Sequence, residues 1–191
     1  LSESKKLKRY ESILKNANAI LAIKASEADH FKQYTKSVQV LPACTPQHPI
    51  STKINPKPYA LFHGNLSVEE NEKGAFWLIN RVFSKINRNN QLIIAGKSPS
   101  KALIKLCNAT NVELIADPSD DHLQQLIQQA QIHVFYSEQA TGVKLKVINS
   151  MKSSGHIILN ENMILGTSLK AYCHVAKDEN QFQNMVEQLA K

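Results

Sequence analysis

The residues with the clearest chemical potential lie at 141–151, between the apolar segments 132–136 and 157–159. We predict a strand end, a turn and the first turns of a helix. Gly142 lets the backbone turn tightly without a side chain that blocks a ligand. Lys144 adds positive charge to the unpaired N–H groups of the helix start, an arrangement that binds phosphate, and a diphosphate is the anion we expect. The spacing alone leaves an ordinary loop with solvated lysines equally open, because no full glycine-rich signature is present.

The segments around this stretch alternate between apolar strands and amphipathic helices. Regular alternation predicts parallel strands joined by right-handed crossovers, and therefore a doubly wound, Rossmann-like α/β sheet. Ligands of such sheets bind at the carboxyl ends of the strands, so the loops after the strands share one rim. We predict strands at 60–63, 91–95, 112–116, 132–136, 155–159 and 172–175, and helices at 69–86, 100–107, 120–129, 144–153 and 179–190.

The first part of the chain predicts a partial second α/β unit. Its helix–strand–helix–strand order includes a second helix that begins near Ser26, with Ser26 as the N-cap and Asp29 as its capping-box partner. Five of the seven prolines fall within residues 42–58, which is typical of a linker. We therefore expect a partial unit at 1–42, a linker at 43–58 and one full domain at 59–191.

The composition of the chain limits the classes of partner that it is expected to bind. The net charge of +7 favours an anionic partner, such as a phosphorylated small molecule or an acidic membrane surface. Nucleic acid is disfavoured because no signature for its recognition is present. The three cysteines are far apart, which predicts reduced thiols in a cytoplasmic protein and disfavours a zinc site. No segment resembles a membrane span or a signal peptide. The chain begins with Leu1, and we expect a fragment of a longer protein.

A family resemblance rests on a set of segments that covers about residues 58–175 in order, including 111–115 and 123–136. Residues 142–151, Gly-Val-Lys-Leu-Lys-Val-Ile-Asn-Ser-Met, resemble the Gly-Thr-Arg-Leu-Lys-Ile-Leu-Glu-Ala-Met segment of retaining, nucleotide-sugar-dependent glycosyltransferases of the GT-B fold, group 1 family. Residues 59–67, followed by the acidic run 69–72, resemble the opening strand and loop of that family's donor-binding domain. Residues 91–99 resemble its next strand and glycine turn. The resemblance implies a C-terminal donor-binding domain with a remnant of the N-terminal, acceptor-binding domain.

The resemblance also implies roles for individual residues. Lys144 matches a phosphate-contacting Arg or Lys, and so would stabilise the leaving diphosphate. Lys146 is two residues further on, so helical spacing predicts that it lies on a different helix face and is structural. Gly64 matches a loop whose backbone approaches the diphosphate, and Asn65 stands where the family often has Arg. Lys97 or Lys73 would then compensate for the missing charge. The predicted substrate-binding residues are Gly64, Asn65, Lys97, Glu138, Thr141, Gly142, Val143, Lys144 and Asn149.

The chain departs from the family at its acidic signature, which is two glutamates separated by seven residues. Thr141 and Asn149 occupy these positions. We expect Asn149 to bind ribose hydroxyls and Glu138 to bind the sugar. No cofactor or metal is expected, because no Asp-x-Asp is present and a lysine would replace the metal ion. His63 is predicted to be a packed histidine rather than an acid–base group.

The resemblance implies a nucleotide-sugar-dependent hexosyltransferase that acts with retention in polysaccharide or glycoconjugate synthesis. The fragment alone is expected to be inactive, because a glycan or lipid-linked acceptor would bind the missing N-terminal domain. The expected location is the cytoplasm, and peripheral contact with the inner membrane face stays open. Two alternatives also stay open. The loss of both glutamates favours a non-catalytic, glycosyltransferase-like scaffold module, and an unrelated doubly wound domain ranks last.

Overall fold

The computed structural model describes residues 10–44, 57–87, 91–110, 112–140 and 144–190. The chain divides into two compact units, Leu1–Cys44 and Thr45–Lys191. Most of the predicted linker at 43–58 lies outside the described residues.

The first unit contains a parallel pair of short strands. Its described part begins with helical residues 10–13, which continue into a 3-10 turn at Leu14–Asn16. Strand β1 (Ile20–Ala22), helix α1 (Ala25–Phe31) and strand β2 (Val38–Val40) follow, and the two strands pair in parallel.

The predicted capping box of helix α1 is wrong. The helix begins at Ala25, so Ser26 lies inside the first turn, and the N-cap residue Lys24 makes no side-chain cap. The Glu27 carboxylate instead accepts a hydrogen bond from the Ile23 N–H at 3.3 Å, while Asp29 accepts from Lys32 Nζ at 2.7 Å. The helix therefore starts without a side-chain cap, and Glu27 in its first turn is bonded to the residue that precedes the N-cap.

The second unit is built on a six-stranded sheet in which every neighbouring pair is parallel. The spatial order is β5–β4–β3–β6–β7–β8, the order of a doubly wound Rossmann-like sheet. The predicted fold class is therefore confirmed. The strands are β3 (Tyr59–His63), β4 (Gln91–Gly96), β5 (Val112–Ala116), β6 (Ile132–Phe135), β7 (His156–Asn160) and β8 (His174–Ala176).

Helices cover both faces of this sheet, as parallel strands require. The helix predicted at 69–86 is α-helical to Trp77 and then π-helical at Leu78–Phe83. Helix α5 is shorter than predicted because residues 151–154 form turns and bends. The helices are α2 (Glu69–Trp77), α3 (Lys101–Ala109), α4 (Asp120–Gln129), α5 (Leu145–Ser150) and α6 (Glu179–Leu189).

Two apolar layers lie on opposite faces of the sheet, and β3 contributes to both. All five residues of β3 are buried. Ala60 and Phe62 pack in the larger layer, while Tyr59 and Leu61 pack in the smaller layer with Ile127. Because the central strand is enclosed on both sides, its carboxyl end is a rigid base for the loop that follows it.

Candidate functional site

The polar residues of interest surround the carboxyl ends of β3 and β6. These strands are neighbours in the sheet, while the chain leaves β3 towards β4 on one side and β6 towards β7 on the other. The crevice between two such diverging loops is the usual ligand site of a doubly wound sheet. We call this place the switch point.

The loop after β3 is held by the end of β4. The Gly64 N–H donates to the Ala95 carbonyl at 3.1 Å, and the Leu66 N–H donates to the Lys97 carbonyl at 2.9 Å. A Cβ atom at Gly96 would lie 1.9 Å from the Gly64 carbonyl oxygen, so only glycine permits the two chain segments to approach this closely.

A second glycine brings helix α2 to the switch point. A Cβ atom at Gly74 would lie 2.5 Å from the carbonyl oxygen of Tyr136. The Trp77 and Tyr136 rings stack beside this contact at 3.8 Å between centroids and 4° between planes. The second half of α2 therefore packs against Tyr136, the residue that follows β6.

Lys144 lies in an ion pair at this junction. It is the N-cap residue of α5, its side chain is 11% exposed, and its Nζ contacts Glu70 Oε1 on α2. Ser137 Oγ donates to the same carboxylate oxygen. Burial raises the pKa of Glu70, but the hydrogen bonds from Lys144 and Ser137 outweigh it, so the pKa lies below its usual value and the carboxyl is ionised.

Lys146 reaches the same turn of α2. Its Nζ donates to Asn71 Oδ1 at 2.6 Å and lies 5.0 Å from the centroid of the Phe62 ring. Burial lowers the pKa of Lys146 to about 8, a shift that Glu70 opposes and Lys144 reinforces. The sequence predicted that Lys146 faces away from Lys144. This was wrong, because Lys144 precedes the helix and both side chains extend to α2.

Asn71 connects the two loops of the switch point. Besides accepting from Lys146, it donates from Nδ2 to the Asn65 carbonyl at 2.8 Å. The Asn65 side chain accepts from the N–H and the hydroxyl of Ser67, at 3.1 and 2.8 Å. Asn65 therefore stabilises its own turn with its side-chain oxygen.

The loop after β6 is fixed by amide side chains. Ser137 N–H donates to Asn160 Oδ1 at 3.1 Å, and Asn160 Nδ2 donates to the Ser137 carbonyl at 2.7 Å. Asn162 Nδ2 adds bonds to the carbonyls of Ser137 and Glu138, each at 3.1 Å. Ser137 is thus held where its hydroxyl meets Glu70.

Two buried histidines contact serines at the end of α5 and in the turn that follows it. His63 Nε2 lies 3.1 Å from Ser150 Oγ, and His133 Nε2 lies 2.7 Å from Ser153 Oγ. Burial lowers the pKa of His133 to about 3, and burial, His133 and Lys146 hold the pKa of His63 well below its usual value. Both are therefore neutral, and the prediction that His63 is a packed histidine is confirmed.

The structure brings together part of the predicted site. Gly64, Asn65 and Lys144 surround the switch point, whereas Thr141, Gly142 and Val143 lie outside the described residues. Lys97 and Glu138 are exposed on neighbouring loops, and Asn149 is partly buried on α5. Sequence reasoning missed the roles of Glu70, Asn71, Lys146 and Ser137. Ser137 lies just beyond the end of β6, and this position is the signal that would have indicated it. Glu70 lies within helix α2 and has no comparable local signal.

The described residues contain neither a cluster of metal ligands nor a helix that could span a membrane. No group of three His, Cys, Asp or Glu side chains within them is arranged to hold a metal ion. None of their helices has the length and apolar character that a membrane crossing requires.

No protein-family model matches the chain. The chain is similar to an uncharacterised 44.6 kDa protein in the cps region of Klebsiella pneumoniae, with 29% identity over 107 residues. The match covers 51% of this chain and 28% of that relative, so the chain corresponds to a minor part of its length.

Solved structures match nearly the whole chain. Sucrose-phosphate synthase from Thermosynechococcus elongatus is matched with a TM-score of 0.72 and 16% identity, over 98% of this chain and 52% of that one. Anabaena Alr3699/HepE in complex with UDP and glucose is matched at 0.70 and 12% identity, over 98% and 59%. WaaG, a glycosyltransferase involved in lipopolysaccharide biosynthesis, is matched at 0.62 and 12% identity, over 90% and 53%.

The chain therefore spans between about one half and three fifths of these structures. At such low identity the likeness shows the fold and nothing finer. The structural neighbours are GT-B glycosyltransferases, and the second unit has the Rossmann-like fold of their C-terminal domain.

Proposed function

We propose that this chain is the donor-binding part of a nucleotide-sugar-dependent glycosyltransferase. The observation that carries the proposal is the convergence of Lys144 and Lys146 on the switch point of a doubly wound sheet. Two of the matched structures support the ligand class, since Alr3699/HepE and the pneumococcal O-GlcNAc transferase GtfA were each solved with UDP and a sugar.

The charges at the switch point suit a diphosphate. The two lysines face one carboxylate, that of Glu70, which contacts Lys144 and acts on Lys146 only through its charge. Both lysine side chains are largely shielded from water, where an ionic interaction is stronger than at an open surface. A cation fixed beside the leaving diphosphate would stabilise the charge that develops as the glycosidic bond breaks, and such stabilisation lowers the barrier.

The remaining parts of the proposal concern the sugar and the acceptor. Asn149 and Glu138 would provide hydrogen bonds to hydroxyl groups of the donor, and the lysines would act in place of a metal ion. The whole protein would transfer a hexose with retention to a glycan or lipid-linked acceptor held by the part that precedes this chain. We place the protein in the cytoplasm, with peripheral contact at the inner membrane face.

A second candidate is a non-catalytic scaffold module of the same fold. Lys144 is already paired with a protein carboxylate, and Thr141 and Asn149 stand where the resemblance implies acids. A scaffold would bind no donor, so a test of donor binding separates the two candidates.

The test is a thermal-shift and calorimetric screen with UDP, GDP, ADP and CMP. We expect one diphosphate to stabilise the chain, and Lys144→Ala to raise its Kd about tenfold or more, which is a loss of about 1.4 kcal/mol. The matched control is Lys105→Ala, which removes an exposed lysine from helix α3 and should leave the Kd unchanged. Equal effects of the two substitutions would remove Lys144 from the site, and no binding by the folded chain would favour the scaffold.

A further inference from the structure

Glu70 occupies the position from which an anion would contact Lys144. Its Oε1 accepts from both Lys144 Nζ and Ser137 Oγ. The Lys144 side chain is 11% exposed and that of Glu70 is 22% exposed, so the pair leaves little of the ammonium group open to another partner. A phosphate oxygen that bound Lys144 directly would therefore have to take the place of the Glu70 oxygen.

We propose that Glu70 is an internal counter-ion that competes with the donor's diphosphate for Lys144. The inference rests on the proposed function, because it concerns how ligand binding at that same site is regulated. Before the donor binds, Glu70 keeps a largely buried ammonium group paired, because an unpaired charge there would be costly. The diphosphate then displaces the carboxylate from the lysine.

The surroundings of Glu70 allow this exchange. The residue lies in the first turn of the nine-residue helix α2, where a carboxylate is stabilised by the helix dipole with or without its lysine. The hydrogen bonds described above that fix the backbone of the switch point come from the end of β4 and from the side chains of Asn71, Asn160 and Asn162, not from Glu70. Glu70 is therefore free to change rotamer without disturbing the loops.

Competition makes binding depend on phosphate charge. A ligand without phosphate gains nothing from Lys144 and leaves the Glu70–Lys144 pair intact. A diphosphate gains an ionic contact with Lys144, but the Glu70–Lys144 pair must break when it binds. Glu70 should therefore weaken the binding of diphosphates specifically, and its removal should strengthen it.

The test compares Glu70→Gln with the wild-type chain by calorimetry, using UDP and uridine as probes. We expect the Kd for UDP to fall about two- to fivefold, as for the gain or loss of one partly exposed ionic contact, and the Kd for uridine to stay the same. Glu113→Gln is the matched control. Glu113 accepts from Gln91, the first residue of β4, at the opposite end of the sheet, and its replacement should change neither Kd.

A double-mutant cycle separates direct competition from general repulsion. If Glu70 competes for Lys144, then Lys144→Ala should weaken UDP binding more in the Glu70→Gln background than in the wild-type chain, because no pair must first be broken. Additive effects, or an unchanged or weaker affinity of Glu70→Gln for UDP, would overturn the competition while the donor site stands. No binding of UDP, GDP or ADP by the wild-type chain or by Glu70→Gln would overturn the donor site itself.

Discussion

The switch point and the layer that supports it contain different kinds of residue. The rim contains charged and partly exposed side chains, namely Glu70, Lys144 and Lys146. The support beneath contains neutral, buried histidines and a close backbone contact at Gly96. The difference separates function from folding, because substitutions on the rim should alter ligand affinity while substitutions in the support should alter the free energy of unfolding.

The largest effect on the free energy of unfolding is expected from Gly96→Ala, a substitution in the supporting layer. The added Cβ would lie 1.9 Å from the Gly64 carbonyl oxygen, and the backbone would have to separate. We expect a loss of about 3 kcal/mol or more in the free energy of unfolding, measured by urea denaturation.

Gly166→Ala is the control for this substitution. Gly166 has a φ of +75° with nothing within 4 Å of an added Cβ, so only the left-handed backbone opposes alanine there, at a cost of about 1–2 kcal/mol. If the Gly96 variant proved as stable as the Gly166 variant, the close approach of the two loops would not be a feature of the protein.

An intermediate effect should follow from acid pH. The pKa of buried His133 is lowered to about 3, whereas the unfolded chain takes up that proton near pH 6.5. The unfolded state therefore binds more protons between these values, and the stability should fall as the pH decreases, by about 1.4 kcal/mol per pH unit for this residue.

The same experiment has an internal control. Urea denaturation at pH 7 and pH 5 should show a smaller pH dependence for His133→Gln than for the wild-type chain, while the exposed His122→Gln variant should behave like the wild type. An undiminished pH dependence in His133→Gln would mean that the histidine is not held neutral.

The smallest effect concerns Lys146 on the rim. Its pKa is lowered to about 8, chiefly by burial, so it is charged at pH 7 and largely neutral at pH 9. The affinity for a nucleoside diphosphate should therefore fall about two- to fivefold between these values, as for one partly shielded charge. The Lys146→Met variant should bind less tightly at pH 7 and show no such decrease. A parallel decrease in both proteins would place the titrating group elsewhere.

The fold was largely predictable from local pattern. Each strand of the second unit is a short apolar run and each helix carries an apolar face, so the alternation and the parallel sheet follow. The end of α5 was not predictable, because no glycine or proline occurs between Lys144 and Gly155, yet residues 151–154 form turns and bends. The N-cap of α1 was wrong because serine at the second helical position carries the same composition signal as serine at the cap.

The site was predictable only in part. The resemblance indicated Lys144, but its partner Glu70 is 74 residues away in the chain, and no local pattern reports such a contact. The orientation of Lys146 was missed because the helix begins after Lys144, which removes the helical spacing on which the prediction relied. Tertiary pairing across the switch point, rather than any single motif, determines which charges meet.

The most direct test of the account is a calorimetric titration of the chain and of Lys144→Ala with UDP, GDP and ADP. We expect one diphosphate to bind the wild-type chain, and the alanine variant to bind it about tenfold more weakly while melting as a folded protein. Absence of binding by the folded wild-type chain, or equal affinity of the two proteins, would contradict a donor diphosphate at Lys144.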